Sequence, residues 1–398
     1  MKAALDRIDP LSMRDLFLLD PDVVFLNHGS FGACPREVLQ AQHDWQLRME
    51  RNPVLFLGRE STQLLAQARA VLAQYLGAAA DDLAFMPNAT SGVNVVARSL
   101  RLGAGDEVLT TNHEYGACDY TWRFVCERSG AVYKKVTVPL PFCAAEFAER
   151  VWAGVTPRTR VLFLSHITST TALIFPLAEL CQRARAAGIV TLIDGAHAPG
   201  HINLNLNALG ADFYTGNCHK WMCAPKGTAF LHARPEHHAR LDAPVISWGY
   251  GEQVPGNPVL EAYVGRTELQ RRLQWLGTRD ISAFLTVPAA MAFQQRHGWH
   301  AVRAQCHALA QQTLQRWCAR TGQAPVAEGN DCGQMVLLPM PGADADALKA
   351  SLYDRFRIEV PVTQHQDQVF VRVSVQGYNT QNDLDRLLEA LLVLRGTQ

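Results

Sequence analysis

Lys220 sits in the stretch Gly216-Asn217-Cys218-His219-Lys220-Trp221, 26 residues after Asp194 of Asp194-Gly195-Ala196-His197. An aspartate and a lysine so placed can divide one task. The carboxylate can hold a pyridinium nitrogen charged, and the amine can form a Schiff base with an aldehyde. Those are the two groups a protein supplies to pyridoxal 5'-phosphate (PLP), which acts as the electron sink. The chain has six lysines against 31 arginines, so a lysine between His219 and Trp221 is not routine surface charge.

Other residues could complete such a site. Asp194 closes the apolar run 189–193. Ligands of open α/β sheets sit beyond the carboxyl ends of strands, although an Asp before a Gly also suits a plain turn. Asn88-Ala89-Thr90-Ser91-Gly92 follows the apolar run 83–85 and opens a helical stretch through Val93, Val95 and Val96. A helix N-terminus offers amide donors to a phosphate. Thr90 and Ser91 can add hydroxyls, or serve only as capping residues. Asn217 and His219 can supply further donors. Tyr115, after the run 107–111, can stack on a pyridine ring or be an ordinary partly buried tyrosine. Arg372 interrupts the apolar stretch Val369-Phe370-Val371-Arg372-Val373 and needs a partner there. A substrate carboxylate gripped in bidentate fashion and a structural acid both qualify.

The elements that must position these residues can be read from periodicity. Seven short apolar runs, at 83–85, 107–111, 132–138, 161–165, 190–194, 213–215 and 228–232, alternate with amphipathic segments. Several runs are apolar on both faces, as strands of a covered parallel sheet are. Leu177, Leu180, Cys181, Ala184 and Ala187 recur at helical spacing. Pro176 suits the first helical position and Gly188 the C-terminal cap. Such alternation predicts an α/β fold with a large domain on a mainly parallel seven-stranded sheet. After about residue 281 the text turns to long helices, then to strands at 335–338, 358–362 and 369–375 around a helix at 343–356. A last helix follows, with Thr380 as N-cap, Asp383 at the capping-box position and Leu384, Leu387, Leu388, Leu391 and Leu392 on one face. We expect an arm at 1–28 packing on the small domain, a large cofactor-binding domain at 29–281 and a smaller C-terminal α+β domain at 282–398.

Composition narrows the function. Lys+Arg and Asp+Glu balance at 37 each, which offers no excess of positive charge to nucleic acid or anionic lipid. Residues 1–20 scatter their charges and do not read as a signal peptide. No apolar run reaches the roughly 18 residues of a membrane span. The ten cysteines include no C-x-x-C pair, which reads as small buried side chains in a reducing compartment. No H-E-x-x-H motif is present. No metal is expected, and the expected location is the cytoplasm.

These residues, in this order, resemble the class V aminotransferase family of PLP enzymes, with the aspartate aminotransferase fold (fold type I). The likeness extends over residues 20–32 with Asn27-His28-Gly29-Ser30, over Ser165-His166-Ile167-Thr168-Ser169-Thr170-Thr171, and over Asp194-Gly195-Ala196-His197. It continues through His219-Lys220-Trp221, Leu276-Gly277-Thr278-Arg279-Asp280 and Arg355-Phe356-Arg357-Ile358-Glu359. Within the family these same segments carry a closer resemblance to the isopenicillin N epimerase branch. The resemblance implies that Asp194 pairs with the pyridine nitrogen and that His197 and Ser169 or Thr168 lie near the phenolic oxygen. Thr90, Ser91 and His219 would hold the phosphate, with Asn217 standing where many relatives have a hydroxyl residue. Tyr115 would cover the ring face opposite Lys220, Arg372 would hold the substrate carboxylate, and Asn27 and His28 would border its pocket. Thr278 would reach the phosphate of a neighbouring subunit, which implies a homodimer with shared active sites. The substrate would be a small molecule, an amino acid or a compound containing one. Epimerisation, carbon–sulfur β-elimination and transamination all remain open, with Lys220 as one base and Tyr115, His28 or water as a second acid. A cysteine desulfurase would need a nucleophilic cysteine in 361–368, where there is none.

Overall fold

All seven apolar runs become strands of one sheet. The computed structural model describes residues 13–250, 264–265, 267–327 and 329–396, so the first 12 residues of the expected arm lie outside the described residues. After the short β1 (Val24–Phe25) come β2 (Leu83–Met86), β3 (Glu107–Thr111), β4 (Val132–Val136), β5 (Thr159–Ser165), β6 (Val190–Asp194), β7 (Phe213–Asn217) and β8 (Ala229–Ala233). The sheet order is β2-β8-β7-β6-β5-β3-β4. β8 runs antiparallel to both its neighbours, and every other pairing is parallel.

Side chains of successive residues on a strand point to opposite faces. In β5, Val161 and Phe163 enter one buried cluster while Leu162 and Leu164 enter another. Both faces of the sheet are therefore covered, which is why these strands read as continuous apolar runs rather than as alternating ones. β4 forms one edge. Its Lys134 and Lys135 put charge on an edge that could otherwise pair with another chain.

The helices that matter to the site are α1 (His28–Phe31), α2 (Ala89–Ser99), α3 (Gly116–Ser129) and α4 (Ala178–Ala186). α4 begins two residues later than the position Pro176 suggests, with Leu177 as its N-cap. Its end is as expected. Gly188 takes φ +67°, its N–H reaches Arg185 and the Ile189 N–H reaches Ala184, which satisfies the last carbonyls of the helix.

The C-terminal part holds α5 (Trp299–Thr321), β9 (Met335–Pro339), α6 (Ala345–Phe356), β10 (Ile358–Glu359), β11 (Val362–His365), β12 (Gln368–Ser374) and α7 (Gln381–Gly396). The run 358–362 is not one strand. Pro361 has no N–H for a ladder and divides it. Ile358 and Glu359 pair in parallel with Val24 and Phe25, whereas β11 forms an antiparallel sheet with β12 and β9. At α7 the capping box forms as read. Thr380 N–H reaches Asp383 Oδ2 at 2.9 Å and Asp383 N–H reaches Thr380 Oγ1 at 3.2 Å.

Candidate active site

A cleft of about 390 Å³ opens at the carboxyl ends of the parallel strands. Asp194 is the last residue of β6, registered between Ser165 of β5 and Thr215 of β7. Its Oδ1 accepts from the Ala196 N–H at 2.9 Å, and the Cys118 thiol points at Oδ2 from 3.5 Å. Burial raises the pKa of this carboxyl, and the neighbouring Lys220 opposes that rise. A cationic ring partner would stabilise its charged form.

Lys220 lies in the turn between β7 and β8, pinched where the amides of Cys218 and His219 both donate to the Thr228 carbonyl. Cys223, further along that turn, takes the left-handed conformation at φ +60°. Burial, helped by the charge of Arg372, brings the Lys220 amine down to about 7. Its Nζ is 3.0 Å from His197 Nε2. Trp221 Nε1–H donates to His197 Nδ1 at 3.4 Å.

His28 lies beneath this turn, fully buried. Its Nε2–H donates to the Lys220 carbonyl at 3.0 Å, and its Nδ1 accepts from the Tyr378 hydroxyl at 2.9 Å. Burial depresses its pKa to about 3. Both ring nitrogens are thus engaged away from the cleft, so the ring does not border the pocket. α1 presses close to the turn at Gly32, where φ is +71° and an added Cβ would come within 2.1 Å of the His219 carbonyl oxygen.

α2 points its N-terminus at the cleft. Asn88 Oδ1 accepts from the Ser91 N–H at 2.8 Å, and Asn217 Oδ1 accepts from the Ala89 N–H at 2.8 Å. Neither bond claims the Thr90 amide. Gly92 lets the helix lie against β7, since a Cβ there would meet Thr215 Oγ1 at 2.3 Å. His219 Nδ1–H donates to the Thr228 carbonyl at 2.8 Å, and burial lowers its pKa to about 4.

Arg372 is 4% exposed, and among the described residues it forms no ion pair with a carboxylate. Its Nη1 bonds the Ser169 carbonyl, its Nη2 donates to Ser30 Oγ at 3.1 Å, and its Nε has no partner among the described residues. Burial brings even this guanidinium down to about 10. A buried cation without an acid is costly unless a ligand supplies the anion.

Of the expected residues, Lys220, Asp194, His197, Tyr115, Thr90, Ser169, Asn217 and His219 line the cleft, and Arg372 stands at its edge through Ser169 and Ser30. Others do not line it. Thr168 is buried, its hydroxyl held by Thr171 and the Leu173 N–H at 2.8 Å each. The Ser91 hydroxyl turns to Asn88, the Asn27 amide binds Glu359, and Thr278 is exposed at the surface. Ser30, Phe31 and Ser165 are cleft residues that sequence reasoning missed. Glu114, buried behind Asp194, was missed as well; a polar stretch 112–115 gives no hint of burial.

Two other features do not compete as sites. A larger hollow of about 800 Å³ lies beside Tyr75 and Trp299, where Arg303 is already bonded to Asn203 at 2.7 Å. Asp212, Glu236 and His237 bring donor atoms within 4.8 Å of one another, but Arg234 already pairs with both carboxylates.

The cleft fits PLP on its own geometry. It offers an amine of lowered pKa, a strand-end carboxylate and a helix N-terminus flanked by hydroxyl and amide groups, with a buried guanidinium at its edge that has no acid partner among the described residues. Residues 24–387 match the sequence-family model described as aminotransferase class-V. The chain is 39% identical over 388 residues to the isopenicillin N epimerase of Streptomyces clavuligerus, covering 96% of this chain and 98% of that protein. It is 30% identical to a probable chloroplastic L-cysteine desulfhydrase of Arabidopsis thaliana, covering 94% of this chain and 83% of the relative. The apo cysteine desulfurase of Thermococcus onnurineus NA1 superposes with a TM-score of 0.81 at 20% identity, over 97% and 98% of the two chains, which is a likeness of fold alone. With the family model spanning both the sheet and the C-terminal part, and with Asp194 and Lys220 facing one cleft, the chain belongs to the class V aminotransferase family, whose cofactor is PLP.

Proposed function

We propose that this chain is a PLP-dependent enzyme that epimerises the α-carbon of an amino acid, free or within a larger molecule. One observation carries the reading. A single cleft holds the Lys220 amine, brought down to about 7, with a buried Arg372 at its edge that has no acid partner among the described residues. An α-amino acid brings the carboxylate that Arg372 lacks and the α-proton that an amine can take. Bound PLP would supply the electron sink that makes that proton acidic.

The chain's own residues would divide the remaining work. Asp194 would face the pyridine nitrogen, and His197 and Ser169 the phenolic oxygen. The start of α2, with Thr90 and His219, would hold the phosphate. Tyr115, 45% exposed on the cleft wall, is assigned the second acid that epimerisation needs on the opposite face. His28 is assigned a supporting role beneath the Lys220 carbonyl. Thr278 is exposed and away from this cleft, and the family resemblance assigns it to the phosphate of a second copy in a homodimer. The 39% likeness to an epimerase over nearly the full length favours this reaction.

A carbon–sulfur β-lyase is the second reading, favoured by the 30% likeness to a desulfhydrase. It needs only Lys220 as base and a leaving group on Cβ. Proton NMR in D2O separates the two, using PLP-loaded protein with L-amino acids, isopenicillin N and cysteine S-conjugates. Loss of the α-proton signal with growth of the opposite configuration is the expected result. Pyruvate and ammonia from the conjugates, without inversion, would transfer the assignment to the lyase.

A further inference from the structure

The junction of β3 and α3 holds a second buried carboxyl that the chemistry above does not use. Glu114 is 6% exposed and directly precedes Tyr115, the N-cap residue of α3. Its Oε2 accepts from the Ser165 N–H at 2.8 Å and from the Ser165 hydroxyl at 2.6 Å. Its Oε1 accepts from the Thr111 hydroxyl at 2.7 Å. Ser165 is in turn the register partner of Asp194. One side chain therefore joins the end of β3, the end of β5 and the backbone that starts α3.

No lysine or arginine pairs with Glu114 among the described residues. Buried carboxyls without a cation must be fully hydrogen-bonded or protonated. Burial pushes this one up to about 7, against the hydrogen bonds from Ser165 and Thr111 and with the help of the Asp194 charge. The local geometry serves both states. As a carboxylate, Oε1 accepts from Thr111; as an acid, it can donate to the same hydroxyl. The clamp thus survives protonation.

We propose that Glu114 is a positioning residue for the cofactor ring, holding Tyr115 against the ring and the Ser165–Asp194 strand ends at its edge. The proposal rests on the PLP reading of the cleft, not on which reaction the chain performs.

Titration of the apo protein with PLP tests it, reading the dissociation constant and the circular dichroism that the bound cofactor acquires from its surroundings. Glu114→Ala strips the acceptor from Ser165 and Thr111. Glu114→Gln keeps an acceptor oxygen for Ser165, and its amide can donate to Thr111. We expect Glu114→Ala to shrink the dichroic band and to weaken PLP binding by about tenfold or more, the size of loss seen when a hydrogen-bonding partner of a metal ligand is removed. Glu114→Gln should restore both. Unchanged affinity and an unchanged band in Glu114→Ala would overturn the proposal, and so would an equal loss in Glu114→Gln. If Glu114→Ala fails to fold, Thr111→Val removes one of the three donors. A smaller band with weaker PLP binding is then expected, and no change in either would overturn the clamp. Failure of the unsubstituted protein to bind PLP at all would instead remove the cofactor reading, and the clamp with it.

Discussion

His197 is the donor, and Lys220 the acceptor, in the 3.0 Å contact between His197 Nε2 and Lys220 Nζ. The assignment follows from the other side of the ring. Trp221 Nε1–H can only donate, so His197 Nδ1 must accept, and a neutral imidazole then carries its proton on Nε2. The amine that receives this proton must have a free lone pair. Burial points the same way, lowering His197 well below its usual range and Lys220 to about 7. The contact thereby favours the neutral form of the amine, the form a nucleophile needs, without an ionised base.

Trp221→Phe should remove the device that selects the tautomer. Neutral Lys220 would lose a donor and its pKa would rise. A hydrogen bond of this kind is worth about 1 kcal/mol, and one pKa unit is about 1.4 kcal/mol, so the shift should approach one unit. The rate at which apo protein captures PLP, measured against pH, should show its acid limb moved upward. An unmoved limb would show that His197 does not set the charge of the amine.

Lys220→Ala should abolish covalent attachment of PLP, with its visible absorbance band, and lower turnover by at least about 10²–10⁴-fold, the usual loss on removing a general base. Absorbance and D2O exchange of the α-proton check this. Undiminished turnover would refute the assignment of Lys220.

Arg372→Ala should weaken substrate binding by about 2–5 kcal/mol, as loss of one partner from a buried charge pair does. Arg372→Lys should not rescue it, because an ammonium cannot reproduce the bidentate fork. Thermal unfolding provides the contrast. Since the guanidinium has no acid partner among the described residues, the apo protein should lose little stability in Arg372→Ala. A large loss of stability with unchanged KM would make Arg372 structural.

The fold should be acid-labile. Burial holds His28 and His201 at about 3, and His113, His166 and His232 at about 4. Each folded-state pKa lies below the unfolded value of about 6.5, so the unfolded chain takes up protons first as the pH falls. The stability these groups contribute is intact above pH ~6.5 and is lost as the pH falls toward the folded values, by about 1.4 kcal/mol per unit for each histidine. Glu114 and Asp194 act in the opposite sense, since their pKa values are raised on folding. Five histidines outweigh two carboxyls, so the urea midpoint of the apo protein should drop between pH 7 and 5. A midpoint that rose over that range would contradict this balance.

Much of this molecule was legible before folding. Strands covered on both faces are mostly apolar, so the inner sheet runs announce themselves in composition, whereas edge strand β4 carries Lys134 and Lys135. The α7 capping box is local, requiring only Thr380 and Asp383 three residues apart. That Asp194 and Lys220 line one cleft was also foreseeable, because a carboxylate ending an apolar run precedes one of the few lysines of a lysine-poor chain.

Tertiary structure decided what depends on neighbours distant in sequence. Thr168 and Ser169 are adjacent hydroxyl residues, and nothing local distinguishes them. Ala172 at φ +56° helps close their loop so that Thr168 bonds inward and Ser169 meets Arg372, which lies 203 residues away. His28 reads as a pocket residue until the fold puts Tyr378 and the Lys220 carbonyl on its two nitrogens. Glu114 reads as a loop acid until sheet order makes β3 and β5 neighbours and brings Ser165 to it. In each case residue type and spacing specify what a side chain can do. Which of those things it does depends on which partners surround it once water is excluded, and those partners come from other parts of the chain.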